Sequence, residues 1–124
     1  MARILIIEDN PVNMKLVSYL LCNVGHTTLC AVDAESGLNI ARADCPDLIL
    51  MDVQLPAMDG LAAASLLKQD SATAAIPIIA LTAMAMKGDK EKSQAAGCDA
   101  FIAKPLRYHE LYAAIDSLLA TRLP

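Results

Sequence analysis

Short apolar runs alternate along the chain with longer amphipathic stretches. The runs are Ile4–Ile7, Thr28–Val32, Leu48–Met51, Ile76–Leu81 and Ala100–Ala103, and all but the second are continuously apolar. A strand covered on both faces has no polar face to alternate with, so these runs predict the buried strands of a parallel sheet. The stretches between them carry helix signals. Asn10-Pro11 supplies an N-cap and a first-turn proline, the stripe Met14, Val17, Leu21, Val24 follows at helical spacing, and Gly25 ends the element. Asp33 is placed to cap a second helix running through Leu38 and Ile40 to about Ala43. A third begins near Gly60 and carries Leu61, Leu66 and Leu67; Gly97 closes a fourth; a fifth carries Leu111, Ile115, Leu118 and Leu119.

Five strands alternating with five helices predict an α/β fold with a parallel sheet and right-handed crossovers. The economical arrangement is a doubly wound five-stranded sheet of order 2-1-3-4-5, whose winding reverses between strands 1 and 3. Ligands of such sheets bind at the carboxyl ends of those two strands. No repeat, low-complexity tract or linker interrupts the 124 residues, so one domain spanning 1–124 is expected.

Composition narrows the picture. A hydrophobic content of 56% excludes disorder. Ten Lys+Arg against fourteen Asp+Glu give a formal charge of −4, the wrong sign for a chain that neutralises phosphates, so direct binding of nucleic acid is not expected. The apolar run before Glu8 is too short for a signal peptide. The longest apolar stretch, residues 75–86, is interrupted by Pro77 and Thr82 and falls short of the ~18 residues a membrane helix needs. Cys22, Cys30, Cys45 and Cys98 form no Cys-x-x-Cys pair and sit inside apolar segments, where a reduced thiol acts as a small hydrophobe. A soluble cytoplasmic protein is the expectation.

The chemistry falls where the topology asks for it. Glu8 and Asp9 follow the first strand and Asp52 the third, so three carboxylates converge at one sheet edge. At ~5 Å and an effective dielectric of ~20, each ionised pair repels by roughly 3 kcal/mol, which calls for a cation or a shared proton. Oxygen-only donors favour Mg²⁺ over zinc. Thr82 ends the fourth strand and Lys104-Pro105 follows the fifth, adding a hydroxyl and an ammonium to the same edge. Nucleophilic carboxylate, cation, hydroxyl donor and positive counter-charge together suit phosphoryl transfer, where positioning and charge stabilisation do the work.

In this ordered set the sequence resembles the receiver domain of two-component response regulators: Glu8-Asp9, Asp52 within Leu48-Ile49-Leu50-Met51-Asp52-Val53-Gln54-Leu55-Pro56, Met58-Asp59-Gly60, Thr82-Ala83 and Lys104-Pro105. Residues 10–16 and 83–89 are most similar to small single-domain regulators of bacterial cell-cycle and polar development, and to receivers attached to hybrid histidine kinases. The resemblance implies that Asp52 accepts a phosphoryl group from a partner's phosphohistidine. It implies Mg²⁺ on Asp9, Asp52 and the Gln54 backbone carbonyl, with Glu8 acting mainly through water. It further implies Lys104 and Thr82 on the phosphoryl oxygens, a cis Lys104–Pro105 bond, and Phe101 at the switch position. Two departures stand out: Glu8 replaces the commoner aspartate, and Phe101 replaces a tyrosine, removing a hydroxyl that could report the switch.

The fourth helix, around Lys87 to Gln94, has no large apolar anchor, and Gly88 weakens its start; low local stability suits a segment that moves. The expected partner is a histidine kinase or histidine phosphotransfer protein; Val12 and Leu16 lie off the core stripe of the first helix and, with Pro105 and Leu106, offer a patch for a four-helix phosphotransfer domain. Output is expected through protein contact on the helix 4–strand 5–helix 5 face, comprising Met84, Met86, Lys90, Phe101, Arg107 and Tyr108, since the sequence ends directly after the fifth helix. His26 follows the Gly25 turn, and neither it nor His109 has an acid or nucleophile partner at a catalytic spacing, so neither receives a catalytic role. A receiver cut from a longer chain such as a hybrid kinase is the alternative. A flavodoxin-like cofactor binder is disfavoured because Glu8-Asp9 would repel a phosphate. An aspartyl-phosphate hydrolase is disfavoured because Gln54 stands where a second acid is needed.

Overall fold

The computed structural model describes residues 2–53, 55, 60–82, 89–103 and 107–122. Five parallel strands, β1 (Arg3–Ile7), β2 (Thr27–Ala31), β3 (Leu48–Asp52), β4 (Ile78–Thr82) and β5 (Ala100–Ala103), pair in the order β2-β1-β3-β4-β5. Between and after them run α1 (Pro11–Asn23), α2 (Ala34–Asp44), α3 (Gly60–Gln69), α4 (Asp89–Ala95) and α5 (Tyr108–Arg122). The expected doubly wound α/β sheet is the observed one.

Period-two alternation divides the apolar strands between two cores. Leu5, Ile7, Ile49, Met51, Ile78 and Ala80 face α2 and α3, where Leu38, Ala63, Ala64 and Leu67 meet them. Ile4, Ile6, Leu48, Leu50, Ile79 and Leu81 face the other way, against Val17 and Leu21 of α1 and Leu111 and Ile115 of α5. Caps are where the sequence put them. Asn10 Oδ1 accepts the N–H groups of Val12 and Asn13, and Asp33 Oδ1 accepts the N–H of Ser36 at 2.7 Å. That backbone hydrogen bond holds the Asp33 carboxyl below its ordinary value.

Several expectations are corrected. Val24 leaves the α1 stripe: it caps the helix and is exposed, because the turn into Gly25 rotates it off the core face. β2 stops at Ala31, leaving Val32 exposed, and β4 starts at Ile78, since Pro77 has no N–H for the ladder and Ile76 instead donates to Thr73 O at 3.0 Å. Leu66 points outward; the alanines Ala63 and Ala64 join Leu67 as the buried face of α3. Of the cysteines, which are all free, only Cys98 is buried. Cys30 lies on the edge strand, Cys22 in the last turn of α1, and Cys45 is a left-handed helix cap with φ 46°.

Burial pushes the Cys98 thiol from its ordinary value of 9.0 up to about 11, with the neighbouring Asp99 charge adding to the effect. The folded chain therefore holds this proton more tightly than the unfolded chain does. The stabilisation is complete below pH 9.0 and is lost as pH climbs toward 11. Urea midpoints measured across that window should fall with pH in the wild type and fall less steeply in Cys98→Ala.

Candidate functional site

Pairing of β1 with β3 sets Ile7 beside Met51, so the residues after these two emerge side by side at the carboxyl edge. Glu8, Asp9 and Asp52 each bring a carboxylate oxygen into one cluster, all within 4.8 Å of one another. Glu8 and Asp52 are only 2% and 4% exposed, whereas Asp9 faces solvent. Local backbone holds the first acid: Glu8 N–H donates to Ala31 O at 3.0 Å, and Glu8 Oε2 accepts the N–H of Asn10 at 3.3 Å. Asn10 thus caps α1 with its side chain and steadies Glu8 with its backbone. At these separations each ionised pair repels by about 3 kcal/mol, a cost that a bound cation removes. Three oxygen donors, one open to water, form a set suited to a hard divalent ion, which keeps part of its hydration shell.

Thr82 ends β4 and is 2% exposed, and the β4–β5 register places it beside Ala103, the residue before Lys104. Phe101 sits in β5, partly buried against the α2/α3 core. Lys104, Pro105, Gln54, Met58 and Asp59 lie outside the described residues.

A feature the motif reading passed over is the function of Gly60. Its N–H donates to Val53 O at 3.0 Å, seating the first turn of α3 on the backbone that leaves Asp52. A Cβ at this glycine would fall onto the Asp52 carbonyl oxygen and within 2.8 Å of Val53 Cα. Only hydrogen fits there, and the sequence signal was a glycine at a helix start where a capping side chain is otherwise favoured.

The family profile of the response regulator receiver domain matches residues 4–116. The chain belongs to the response regulator receiver domain family. Along 116 residues this receiver is 43% identical to the polar-differentiation response regulator DivK of Brucella anthropi, an alignment covering 94% of each chain. Its fold matches the receiver domain of a sensor histidine kinase from Pseudomonas aeruginosa with a TM-score of 0.89 at 34% identity, covering 96% of this chain and 98% of that one. That structure has a magnesium ion coordinated in its active-site cleft. A response regulator from Chloroflexus aurantiacus matches with a TM-score of 0.92 at 28% identity, covering 96% and 98% of the two chains. The receiver is a phosphoacceptor of two-component signalling that resembles the single-domain regulator DivK. The flavodoxin-like and hydrolase alternatives give way to it.

The remaining expectations divide. Val12 and Leu16 are exposed on α1 as foreseen, and Tyr19 extends their row by one turn. Arg107 and Tyr108 are exposed at the start of α5, while Met84, Met86, Leu106 and the Lys90 side chain lie outside the described residues. His26 has a structural task, its Nδ1 accepting the Ala2 N–H at 3.2 Å. Among the described residues no helix is long and apolar enough to cross a membrane.

Gly60→Ala should destabilise the protein by about 1–3 kcal/mol, the range for overpacking, as read from urea denaturation.

Proposed function

We propose that Asp52 is the phosphoacceptor. The observation that carries this reading is its position: a nearly buried carboxylate ending β3, gathered with Glu8 and Asp9 at the point where the sheet reverses its winding. An Asp52 Oδ attacks the phosphorus of a phosphohistidine or an acyl phosphate. The new P–O bond forms as the P–N or P–O bond of the donor breaks, its electron pair leaving with the imidazole or the carboxylate. The chain speeds its own labelling by positioning, since Asp52 is held by β3 on one side and by the Gly60–Val53 hydrogen bond on the other. Discharge to water returns the Asp52 carboxylate and inorganic phosphate.

The cluster of Glu8, Asp9 and Asp52 fits Mg²⁺, which Asp9, Asp52 and the Gln54 carbonyl would hold, with Glu8 acting mainly through water. When bound, Mg²⁺ neutralises charge on the acids and on the incoming phosphoryl oxygens. Lys104 supplies a fixed positive charge to those oxygens, and the Thr82 hydroxyl donates to one of them. Movement of Thr82 toward the phosphoryl group, with Phe101 and α4 responding, is the switch; the exposed described side chains of α4, Glu91, Lys92, Gln94 and Ala95, support it.

The phosphodonor is a histidine kinase or a histidine phosphotransfer protein, docking on the exposed Val12 and Leu16 of α1 beside the site. Output is contact with a downstream protein on the α4–β5–α5 face, in the cytoplasm, by one receiver domain spanning 1–124.

Incubation with acetyl phosphate and Mg²⁺ should add the mass of one phosphoryl group, alkali-labile and absent in Asp52→Asn; uptake by that variant would displace Asp52 from its role. Without a phosphodonor, Mg²⁺ at about 100 times its Kd should stabilise the fold by ~2.7 kcal/mol, seen as a rise in Tm. Asp9→Asn should lose most of that rise; an undiminished rise would place the ion elsewhere.

A further inference from the structure

At the opposite end of the sheet, the amino ends of β4 and β5 are tied by a polar construction that phosphoryl transfer does not use. Lys68, in the last turn of α3, donates from Nζ to the carbonyl oxygens of Ala74 at 3.2 Å and Ile76 at 2.8 Å, and pairs with Asp99 Oδ2 at 3.1 Å. That same aspartate oxygen accepts the Ile78 N–H at 2.9 Å, and the Asp99 N–H donates to Ile78 O at 2.8 Å. One ammonium and one carboxylate thereby join α3, the loop before β4, the first rung of β4 and the entry to β5.

The segment leaving α4 is seated on this lysine. Gly97 has φ 98°, and a Cβ there would come within 2.6 Å of Lys68 Cγ. Its neighbours Ala96 and Cys98 pack into the α2/α3 core. The body of α4 is different: Glu91, Lys92, Gln94 and Ala95 are all exposed. The C-terminal end of α4 is thus held against Lys68, while the described side chains of its body face solvent.

We propose that the Lys68–Asp99 clamp, with Gly97 resting on the lysine stem, is the fixed pivot about which α4 responds to phosphorylation. This rests on the phosphoacceptor reading of Asp52. Lys68 is a positioning residue for α4 and takes no part in the chemistry. The clamp keeps phosphorylation from dissipating as loosening at the base of β4 and β5, and directs the response to the end of α4 nearer Thr82.

Cys98 reports the pivot directly, because its buried, tightly protonated thiol reacts only when the segment opens. In a Cys22→Ser, Cys30→Ser, Cys45→Ser background, Cys98 labelling by iodoacetamide should be slow and unchanged by acetyl phosphate with Mg²⁺. Amide exchange within residues 89–95 should change under the same conditions. Lys68→Met should speed Cys98 labelling at least about tenfold, the factor set by losing one charge-assisted hydrogen bond, and should make that rate sensitive to phosphorylation. Lys68→Gln, which keeps a donor without the charge, should fall between and serves if Lys68→Met does not fold. The pivot is overturned if phosphorylation speeds Cys98 labelling with Lys68 intact, or if neither substitution changes the rate. It is also overturned if residues 89–95 do not respond in protein shown by mass to be phosphorylated. If no phosphoryl group is taken up, it is the Asp52 reading that fails, and labelling of the unphosphorylated variants decides the clamp alone.

Discussion

Everything at the carboxyl edge depends on the pairing of β1 with β3. Their register brings Ile7 against Met51, and the acids that follow have no choice but to share one small volume. Electrostatics alone would scatter three carboxylates. The sheet overrules it because the strands beneath them are anchored by side chains buried on both faces, Ile4 to Ile7 and Leu48 to Met51, whose apolar burial is worth roughly 1.5–3 kcal/mol each. The hydrophobic core thus holds the three carboxylates together against their mutual repulsion. An acid cluster held in this way suits a hard divalent cation.

The two ends of the sheet carry different sets of polar groups. At the amino end opposite charges meet: Lys68 with Asp99 and Arg3 with Asp44, while Asp47 accepts the Arg3 N–H at 2.8 Å. At the carboxyl end three carboxylates gather at one point. A small ligand or a phosphoryl group at the carboxyl edge changes a local balance of several kcal/mol without touching the ties at the other end.

What the sequence revealed and what it hid follow from the range of the forces involved. Strand order and the acid cluster were legible because continuous apolar runs and acids directly after them are local patterns with one economical folding. The polar Thr27 and Thr28 of β2, the run that broke the pattern, belong to an edge strand, which has only one neighbour in the sheet. The caps Asn10 and Asp33 were legible for the same local reason. The clamp was not. Lys68 and Asp99 are separated by 31 residues, and nothing in either local sequence distinguishes a paired lysine from a solvated one. Thr73 was equally hidden: it is fully buried because its hydroxyl donates to Leu67 O at 2.6 Å, closing α3. The exposure of Cys22, Cys30 and Cys45 escaped because an apolar neighbourhood in sequence says little about which side of an edge strand or helix end a residue occupies.

The shortage of large side chains in α3 has a structural purpose that connects core to site. Gly60, Ala63 and Ala64 give this helix a narrow face, and it approaches β3 closely enough for its first N–H to bond the Val53 carbonyl. On the same side of the sheet Gly37 of α2 does likewise against Ile7, where any Cβ would collide with the isoleucine side chain. Both strands that present acids are therefore pressed by helices through glycine contacts within reach of the acids themselves. Ile7 immediately precedes Glu8, and Val53 immediately follows Asp52. A larger residue at Gly37 displaces the far end of a flexible side chain, but one at Gly60 must displace backbone, so the two glycines are unequal in what they protect. The contact at Gly37 tunes packing beneath Glu8; the contact at Gly60 fixes the peptide that carries Asp52.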